Sequence, residues 1–334
     1  GEGVWDGWGM KSREFAGGCE VSEIGLGCWQ LSGSDWGAVD EERAMEILDT
    51  AVGAGVTFLD TADVYGGGRS EELIGRFLAG RGEDLFVGTK LGRGGMYPDG
   101  YSEAGVRAAT EASLGRLGVD SLDLTQLHCV PHEVLRRGEI FDWLRAMQRD
   151  GLVRRWGASV ESMAEARTCL EAEGCASLQI IFNVFRQKPI AELFDAARER
   201  GVSIIVRLPL ASGLLTGKFE RETEFGEEDH RNYNRDGGAF NVGETFAGLR
   251  FETGVALADE LKEWVPEGWS MAYFAQRWIL DHEAVTTVIT GASRPEQARA
   301  NAAVSRLEPL DEATHAAARK FYEERVAAEV RGPY

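Results

Sequence analysis

The chain alternates short, β-branched apolar runs with longer segments whose apolar residues recur at helical spacing. This alternation predicts repeated units of a strand followed by a helix, and therefore a parallel sheet. Eight such runs can be counted, which is the number that closes a (β/α)8 barrel. The predicted strands cover residues 23–29, 57–62, 84–90, 122–128, 153–159, 178–184, 203–209 and 286–292.

Amphipathic helices are predicted between these strands. The first follows Asp40, whose carboxylate can cap it, and the second is expected to begin at Ser70, with acidic residues in its first turn. A doubly wound α/β sheet is the main alternative, but no glycine-rich dinucleotide fingerprint follows the first strand, and this favours the barrel. Later helices are predicted over 103–116, 141–149, 162–172, 190–200 and 270–281.

Two segments depart from the plain eightfold scheme. Residues 13–25 predict a hairpin, because Gly17 and Gly18 form a two-residue turn signal, and this hairpin is expected to close the bottom of the barrel. Residues 217–250 are polar and rich in glycine, and they are too long for a neutral connection in a compact domain. We interpret them as a lid or cofactor clamp, with a disordered insertion as the alternative.

Composition restricts the class of protein. A chain of 334 residues with 43% hydrophobic and 27% charged residues, and without an apolar stretch of membrane-spanning length, is expected to be soluble and globular. The net charge of -19 argues against nucleic-acid and anionic-membrane partners. Residues 1–9 lack the pattern of a secretory signal and are expected to be an added leader or a disordered start, which leaves 10–334 as one barrel domain.

The five cysteines have no CxxC spacing, so neither a disulfide framework nor a zinc site is expected. Reduced thiols and a cytoplasmic location are the simpler interpretation. His128, Cys129 and His132 lie close in sequence, but Pro131 prevents a simple helical pair of ligands, and no metal is predicted.

Four residues of complementary chemistry follow three consecutive predicted strands. Asp60 ends the second strand, Tyr65 lies in its loop, Lys90 ends the third strand and His128 ends the fourth. Catalytic side chains of such barrels lie at the carboxyl ends of the strands, so these four are expected to meet at one rim. Lys90 is one of only six lysines in the chain.

Together these residue types can transfer a proton. Hydride addition to a carbonyl leaves negative charge on oxygen, and Tyr65 can act as the acid that neutralises it. A free tyrosine titrates near pH 10, so a cation such as Lys90 is needed to stabilise the phenolate, and Asp60 can keep that lysine charged. His128 can orient the substrate oxygen. Each residue alone also has a structural interpretation, as a turn cap, a packed aromatic, a snorkelling lysine or a buried imidazole.

The residues around this set resemble those of the aldo-keto reductases, in particular the bacterial NADP-dependent members. Residues 57–75 (TFLDTADVYGGGRSEELIG) are similar to the family's second-strand signature, 86–92 (FVGTKLG) to its lysine motif and 122–128 (LDLTQLH) to its histidine motif. The resemblance extends from about residue 13 to 303. It implies a catalytic tetrad with Tyr65 as the general acid, which comprises Asp60, Tyr65, Lys90 and His128.

The resemblance also implies cofactor contacts. Ser159 and Gln179 match positions that hold the nicotinamide carboxamide, and an arginine and a serine near residue 293 suit the 2'-phosphate of NADP, so NADPH is preferred and NAD is the alternative. The implied cofactor-binding set is Gly27, Trp29, Ser159, Gln179, Arg207, Pro209, Leu210, Ser212, Lys218, Gly291, Ser293, Arg294, Gln297 and Asn301.

Three positions depart from the family pattern. Val160 stands where many members have an asparagine beside the carboxamide-binding serine, and Arg207 stands where many have an aromatic ring that stacks on the nicotinamide. Ala300 replaces a frequent glutamate near the adenine. A guanidinium can stack through its plane or hold a phosphate instead.

The expected activity is NADPH-dependent reduction of an aldehyde or ketone, including sugars and keto-sugars. A small-molecule pocket is expected around Trp29, Trp36 and Tyr97, with Arg93, Met96 and Val130 nearby. Alternatives are oxidation of an alcohol or sugar at the same site and a regulatory, cofactor-binding role like that of the potassium-channel β-subunits in the same family.

Overall fold

The computed structural model describes residues 9–33 and 39–334, and a closed barrel of eight parallel strands lies at its centre. The strands are β1 (Ser12–Phe15), β2 (Cys19–Ser22), β3 (Ile24–Gly27), β4 (Phe58–Asp60), β5 (Phe86–Leu91), β6 (Leu124–His128), β7 (Trp156–Ser159), β8 (Cys175–Ile181), β9 (Ser203–Arg207) and β10 (Val285–Gly291). Strands β3 to β10 pair in chain order, and β10 pairs with β3 to close the sheet. The predicted (β/α)8 barrel is therefore confirmed, and each predicted run contributes one strand.

Helices surround the barrel and follow the predicted alternation. α1 begins after Asp40, whose carboxylate accepts a hydrogen bond from the Arg43 backbone N–H at 2.8 Å, as predicted. The helix predicted over 190–200 is interrupted at Leu193. The helices are α1 (Glu41–Gly53), α2 (Arg69–Leu78), α3 (Glu103–Leu117), α4 (His132–Arg137), α5 (Glu139–Arg149), α6 (Met163–Glu171), α7 (Lys188–Glu192), α8 (Phe194–Glu199), α9 (His230–Tyr233), α10 (Phe251–Leu261), α11 (Met271–Leu280), α12 (Pro295–Ala303) and α13 (Glu312–Phe321).

The predicted start of the second helix at Ser70 is wrong. α2 begins one residue earlier, at Arg69, because Gly68 takes a left-handed conformation (φ 101°) that turns the chain into the helix. The hydroxyl of Ser70 is buried and accepts a hydrogen bond from the Thr61 hydroxyl at 2.7 Å instead of capping the helix. It therefore ties the helix to the loop that follows β4.

The hairpin of β1 and β2 closes the bottom of the barrel, as predicted. Phe15 is fully buried, and its ring centroid lies 4.8 Å from that of Phe86 and 6.1 Å from that of Phe58. Phe58 and Phe86 are the first residues of β4 and β5, so these contacts lie at the amino ends of the strands. We call the opposite end, where the strands have their carboxyl ends, the mouth.

Backbone strain is concentrated at the mouth. In the described part of the chain, six residues other than glycine have a left-handed backbone, which costs about 1–3 kcal/mol each and persists where the surroundings enforce it. One follows β6, three follow β9 and two lie in the loop 217–250. They are Cys129, Leu208, Ala211, Ser212, Phe246 and Ala247.

The loop 217–250, which we call the long loop, is anchored by the end of the chain. Arg331 donates hydrogen bonds to the Gly248 carbonyl at 2.9 Å and the Leu249 carbonyl at 3.1 Å, and to the Asp236 carboxylate at 2.6 Å. The loop also reaches the mouth, since the Ser212 hydroxyl donates to the Glu244 carbonyl at 3.2 Å. It lies across the barrel instead of projecting from it.

The helices within residues 9–33 and 39–334 were compared with the requirements of a membrane span, and none has the combination of length and apolar character needed to cross a bilayer.

Candidate active site

The centre of the mouth is a buried ion pair between Asp60 and Lys90. β4 ends at Asp60 and β5 carries Lys90, and the two side chains are only 2% and 1% exposed. Lys90 Nζ lies 2.5 Å from Asp60 Oδ2 and 3.0 Å from the Thr61 carbonyl oxygen. Burial alone would lower the pKa of Lys90, but the carboxylate of Asp60 and the phenol of Tyr65 raise it above its usual value. The lysine is therefore held in its charged form.

Two glutamines complete the environment of Asp60. Gln126 and Gln179 donate to Asp60 Oδ1 at 3.1 Å and 2.8 Å, and Gln179 also donates to Gln126 Oε1 at 2.8 Å. Both are buried, so the second carboxylate oxygen is satisfied without water. The sequence did not single out Gln126, although its position two residues before His128 in the same strand places both side chains on the barrel interior.

Tyr65 is brought to Lys90 by a turn rich in glycine. Gly66 and Gly67 are left-handed (φ 61° and 63°), which folds the chain back directly after the tyrosine. Lys90 Nζ lies 3.0 Å from Tyr65 Oη. Burial raises the pKa of the Tyr65 phenol, and the positive charge of Lys90 opposes that rise. The phenol is protonated near neutral pH and has a cation in place to stabilise its conjugate base.

His128 lies against Tyr65 at the end of β6. The two rings meet edge to face with centroids 5.9 Å apart. Burial, followed by the positive charges of Lys90, Arg207 and Arg93, holds the pKa of His128 well below its usual range. The imidazole is therefore neutral, so it can form a hydrogen bond to a substrate oxygen without competing with Tyr65 as a strong acid. The structure thus brings all four residues of the expected tetrad together.

The residues expected to hold the nicotinamide lie beside this set. Strand register aligns His128 with Ser159 and Ser159 with Gln179, and Ser159 is buried. Trp29 stacks on Tyr65 with ring centroids 6.0 Å apart, and Gly27 aligns with Asp60 on the neighbouring strand. Gln179 points at Asp60 in this structure, so its amide is already engaged.

Arg207 forms the opposite wall of the mouth. Its guanidinium forms an ion pair with Glu244 from the long loop, and Nη2 donates to the Val160 carbonyl at 3.0 Å. Arg207 Nε and His128 Nδ1 are buried and have no partner among the described residues. An unpaired buried donor costs about 1–3 kcal/mol, so both atoms fit a mouth that receives a polar ligand. Sequence reasoning missed Glu244, because no short-range signal connects it to Arg207.

The segment after β9 presents strained backbone to the mouth. Pro209 and Leu210 lie between the left-handed residues Leu208 and Ala211. Ser212 is predicted to contact the cofactor, and its hydroxyl donates to the Glu244 carbonyl and accepts from the Phe246 N–H at 3.1 Å. Lys218 follows at the start of the long loop, and its N–H donates to the Thr216 hydroxyl at 3.4 Å.

The residues expected at the adenosine phosphate gather at the start of α12. Gln297 Oε1 accepts from both the backbone N–H and the hydroxyl of Ser293, at 2.8 Å and 3.1 Å. Asn301 donates to the Gly291 carbonyl at 3.2 Å. Arg294 is the residue before the helix, whose first turn has no capping side chain. An arginine at the amino end of a helix is chemically suited to a phosphate, because the guanidinium and the helix dipole are both positive there.

The expected substrate residues lie around the rim. Tyr97 is 43% exposed, and the guanidinium of Arg93 lies 4.3 Å from its ring centroid. Trp29 is covered by His230 of the long loop, with centroids 5.2 Å apart, a contact that the sequence did not suggest. Trp36 lies outside the residues that the structure describes.

Comparison with known proteins defines the class. Residues 23–323 match the family model of the Aldo/keto reductase family, and the chain belongs to that family, an oxidoreductase family that uses nicotinamide cofactors. The resemblance inferred from the motifs is therefore confirmed.

Individual relatives differ in their described roles. The chain is 28% identical over 290 residues to the aldo-keto reductase YhdN of Bacillus subtilis, covering 85% of each chain. It is 32% identical over 307 residues to a probable voltage-gated potassium channel subunit beta of Arabidopsis thaliana, covering 85% of this chain and 87% of the other. The solved structure of the glycerol dehydrogenase AKR11B4 from Gluconobacter oxydans superposes with a TM-score of 0.74 at 27% identity, covering 97% of each chain.

Proposed function

We propose that this protein is an NADPH-dependent reductase of aldehydes or ketones, including sugars and keto-sugars, with Tyr65 as the general acid. The observation that carries the proposal is the position of Lys90 Nζ, 2.5 Å from the Asp60 carboxylate and 3.0 Å from the Tyr65 hydroxyl. A buried lysine held charged by a carboxylate and pointed at a phenol is the arrangement that acid catalysis by tyrosine needs.

Each residue of the tetrad has one role in the reaction. Tyr65 gives its phenolic proton to the carbonyl oxygen as negative charge develops there, Lys90 stabilises the phenolate that remains, and Asp60 keeps Lys90 protonated. The neutral imidazole of His128 orients the carbonyl oxygen through a hydrogen bond. A nicotinamide cofactor, when bound, would supply the hydride. Burial of the site strengthens each of these electrostatic interactions.

The cofactor would lie along the mouth from Gln179 to α12. In this proposal Ser159 and Gln179, which align on neighbouring strands, would contact the nicotinamide end, and the strained segment after β9 would contact the pyrophosphate. Ser293 and Arg294 at the start of α12 would bind a 2'-phosphate, because an arginine fork donates paired, charge-assisted hydrogen bonds to phosphate oxygens. This site is the reason to prefer NADP over NAD.

Two relatives favour specific alternatives. The glycerol dehydrogenase from Gluconobacter oxydans supports oxidation of an alcohol by the same residues. The potassium-channel subunit relative supports a regulatory role in which cofactor binding matters more than turnover. The intact Asp60, Lys90 and Tyr65 contacts favour catalysis, since a binding protein has no need of a stabilised phenolate.

The test compares both reaction directions and one variant. Initial rates are measured with NADPH and a panel of aldehydes and ketones, and with NADP and alcohols that include glycerol. Alcohol oxidation without detectable carbonyl reduction would support the dehydrogenase, and tight NADPH binding without any hydride transfer would support the regulatory role.

The variant Tyr65→Phe is expected to lower kcat by about 100-fold or more, the usual contribution of a positioned acid, with little change in NADPH affinity. Tyr273→Phe, which removes a hydroxyl from α11, is the matched control and is expected to behave as wild type. Unchanged turnover in Tyr65→Phe contradicts the acid assignment.

A further inference from the structure

Arg207 and Glu244 join two parts of the chain that are distant in sequence. Arg207 is the last residue of β9 and is 8% exposed, while Glu244 lies in the long loop with 16% of its side chain exposed. The guanidinium pairs with Glu244 through Nη1 and donates to the Val160 carbonyl at 3.0 Å through Nη2. Its plane is therefore fixed at two points, one on the barrel and one on the loop.

The position of Glu244 is itself fixed. Its carbonyl accepts from the Ser212 hydroxyl at 3.2 Å, and the same hydroxyl accepts from the Phe246 N–H at 3.1 Å. Asn241 Oδ1 accepts from the Gly243 N–H at 2.7 Å and so begins the short turn that ends at Glu244. The carboxylate is thus aimed at Arg207 by contacts of the loop with the strained segment after β9.

The arrangement is poorly suited to stability alone. A buried ion pair gains little over a well-packed apolar pair, and here the buried Nε of Arg207 remains without a partner. Behind burial and Lys90, the positive charge of Arg207 also opposes the rise in the pKa of Tyr65 and helps to lower the pKa of His128. Both facts indicate that the guanidinium is held ready for a ligand at the mouth.

We propose that Glu244 is a positioning residue: from the long loop it fixes the guanidinium of Arg207 in the orientation that receives the nicotinamide end of the cofactor. When the long loop packs on the mouth, the same contact therefore also orients the nicotinamide ring. The inference rests on the proposed function, because it requires a nicotinamide cofactor in the mouth.

The first test separates the two ends of the cofactor. Dissociation constants are measured by quenching of tryptophan fluorescence for NADPH and for adenosine 2',5'-bisphosphate, which lacks the nicotinamide. Glu244→Gln is expected to weaken NADPH binding five- to tenfold and to leave the bisphosphate within twofold of wild type. Glu244→Asp, which keeps the charge, is expected to recover part of the NADPH affinity. Glu267→Gln, an exposed residue before α11, is the matched control.

The second test asks whether Glu244 acts through Arg207. In an Arg207→Gln background, adding Glu244→Gln is expected to change the NADPH affinity less than twofold, because the partner is already gone. In single turnovers with NADPH and 4-nitrobenzaldehyde at saturation, Glu244→Gln is expected to slow hydride transfer at least tenfold. Thermal unfolding of each variant verifies that it is folded. If Glu244→Gln does not fold, Glu244→Asp is used in its place.

The results decide the two proposals separately. Equal losses for NADPH and the bisphosphate, an NADPH affinity within twofold of wild type, or a full effect in the Arg207→Gln background would each overturn the role of Glu244. A wild-type protein that binds NADPH but reduces no carbonyl contradicts the proposed function, while the NADPH affinities still test Glu244.

Discussion

Replacement of Asp60 by asparagine tests the electrostatic basis of the site. Asparagine retains an oxygen for Gln126 and Gln179, which donate to Asp60 Oδ1 at 3.1 and 2.8 Å, but it removes the charge that faces Lys90. Lys90 is 1% exposed, so water cannot take the place of the carboxylate. We expect Asp60→Asn to lower the free energy of unfolding by about 3–5 kcal/mol at pH 7, the usual cost of breaking a buried pair.

The protonation equilibrium gives the same magnitude. Lys90 can avoid remaining an unpaired buried cation by releasing its proton. A lysine with an ordinary pKa near 10.4 costs roughly 4–5 kcal/mol to deprotonate at pH 7, at about 1.4 kcal/mol for each pKa unit. The loss of stability is therefore similar whether the variant keeps the proton on Lys90 or releases it.

The dependence of stability on pH distinguishes the two proteins. In the wild type the pKa of Lys90 is raised against the effect of burial by Asp60 and Tyr65, so its contribution is complete below about pH 10 and is lost above the unfolded pKa. In Asp60→Asn, burial without a partner lowers the pKa of Lys90. The unfolded chain then binds more protons than the folded one, and the stability deficit shrinks as pH rises from 7 towards about 10.

The assay is urea denaturation followed by tryptophan fluorescence at several pH values between 6 and 10. Asp150→Asn removes one partner of an exposed ion pair with Arg107 and is the control, which we expect to behave like wild type. A loss below about 1 kcal/mol in Asp60→Asn, or stability profiles that run parallel to wild type across this range, would refute the view that Lys90 is a buried cation held by Asp60.

Two further predictions concern the ends of the barrel. Arg294→Ala is expected to raise the KM for NADPH about tenfold or more while leaving that for NADH nearly unchanged, because only NADPH carries the 2'-phosphate; equal changes for both cofactors would contradict this assignment. Phe15→Ala is expected to lower the free energy of unfolding by about 3–5 kcal/mol, since the ring is fully buried against Phe58 and Phe86, and urea denaturation measures the loss.

The barrel could be predicted from the sequence because each of its strands is a short apolar run. Strands of a barrel are buried on both faces, and burial on both faces requires apolar residues. The same reasoning placed Asp60, Lys90 and His128 at one rim, since the carboxyl ends of consecutive parallel strands are neighbours. The structure brings these side chains together, and Tyr65 joins them through a turn that Gly66 and Gly67 permit. Here local pattern and topology were sufficient to predict proximity.

Other features depend on contacts that no local pattern encodes. Glu244 lies 37 residues after Arg207 in a loop without periodicity, so only the folded loop shows that they pair. The sequence around Gln126 does not distinguish it from other polar residues in strands. Only the folded barrel shows that it donates to Asp60. Ser70 followed by acidic residues is typical of a helix start, but Gly68 begins the helix earlier, and the hydroxyl finds a partner in Thr61.

Because the hairpin of β1 and β2 closes one end of the barrel, the two ends of the interior differ in chemistry. The closed end holds a cluster of buried aromatic and aliphatic side chains around Phe15, Phe58 and Phe86, and the mouth holds the charges and amides around Asp60 and Lys90. Burial of the closed-end cluster therefore adds stability at a distance from the strained backbone and the charged side chains of the mouth. Substitutions at the mouth leave this closed-end cluster unchanged. The rim of the barrel is therefore a practical place to engineer new specificity.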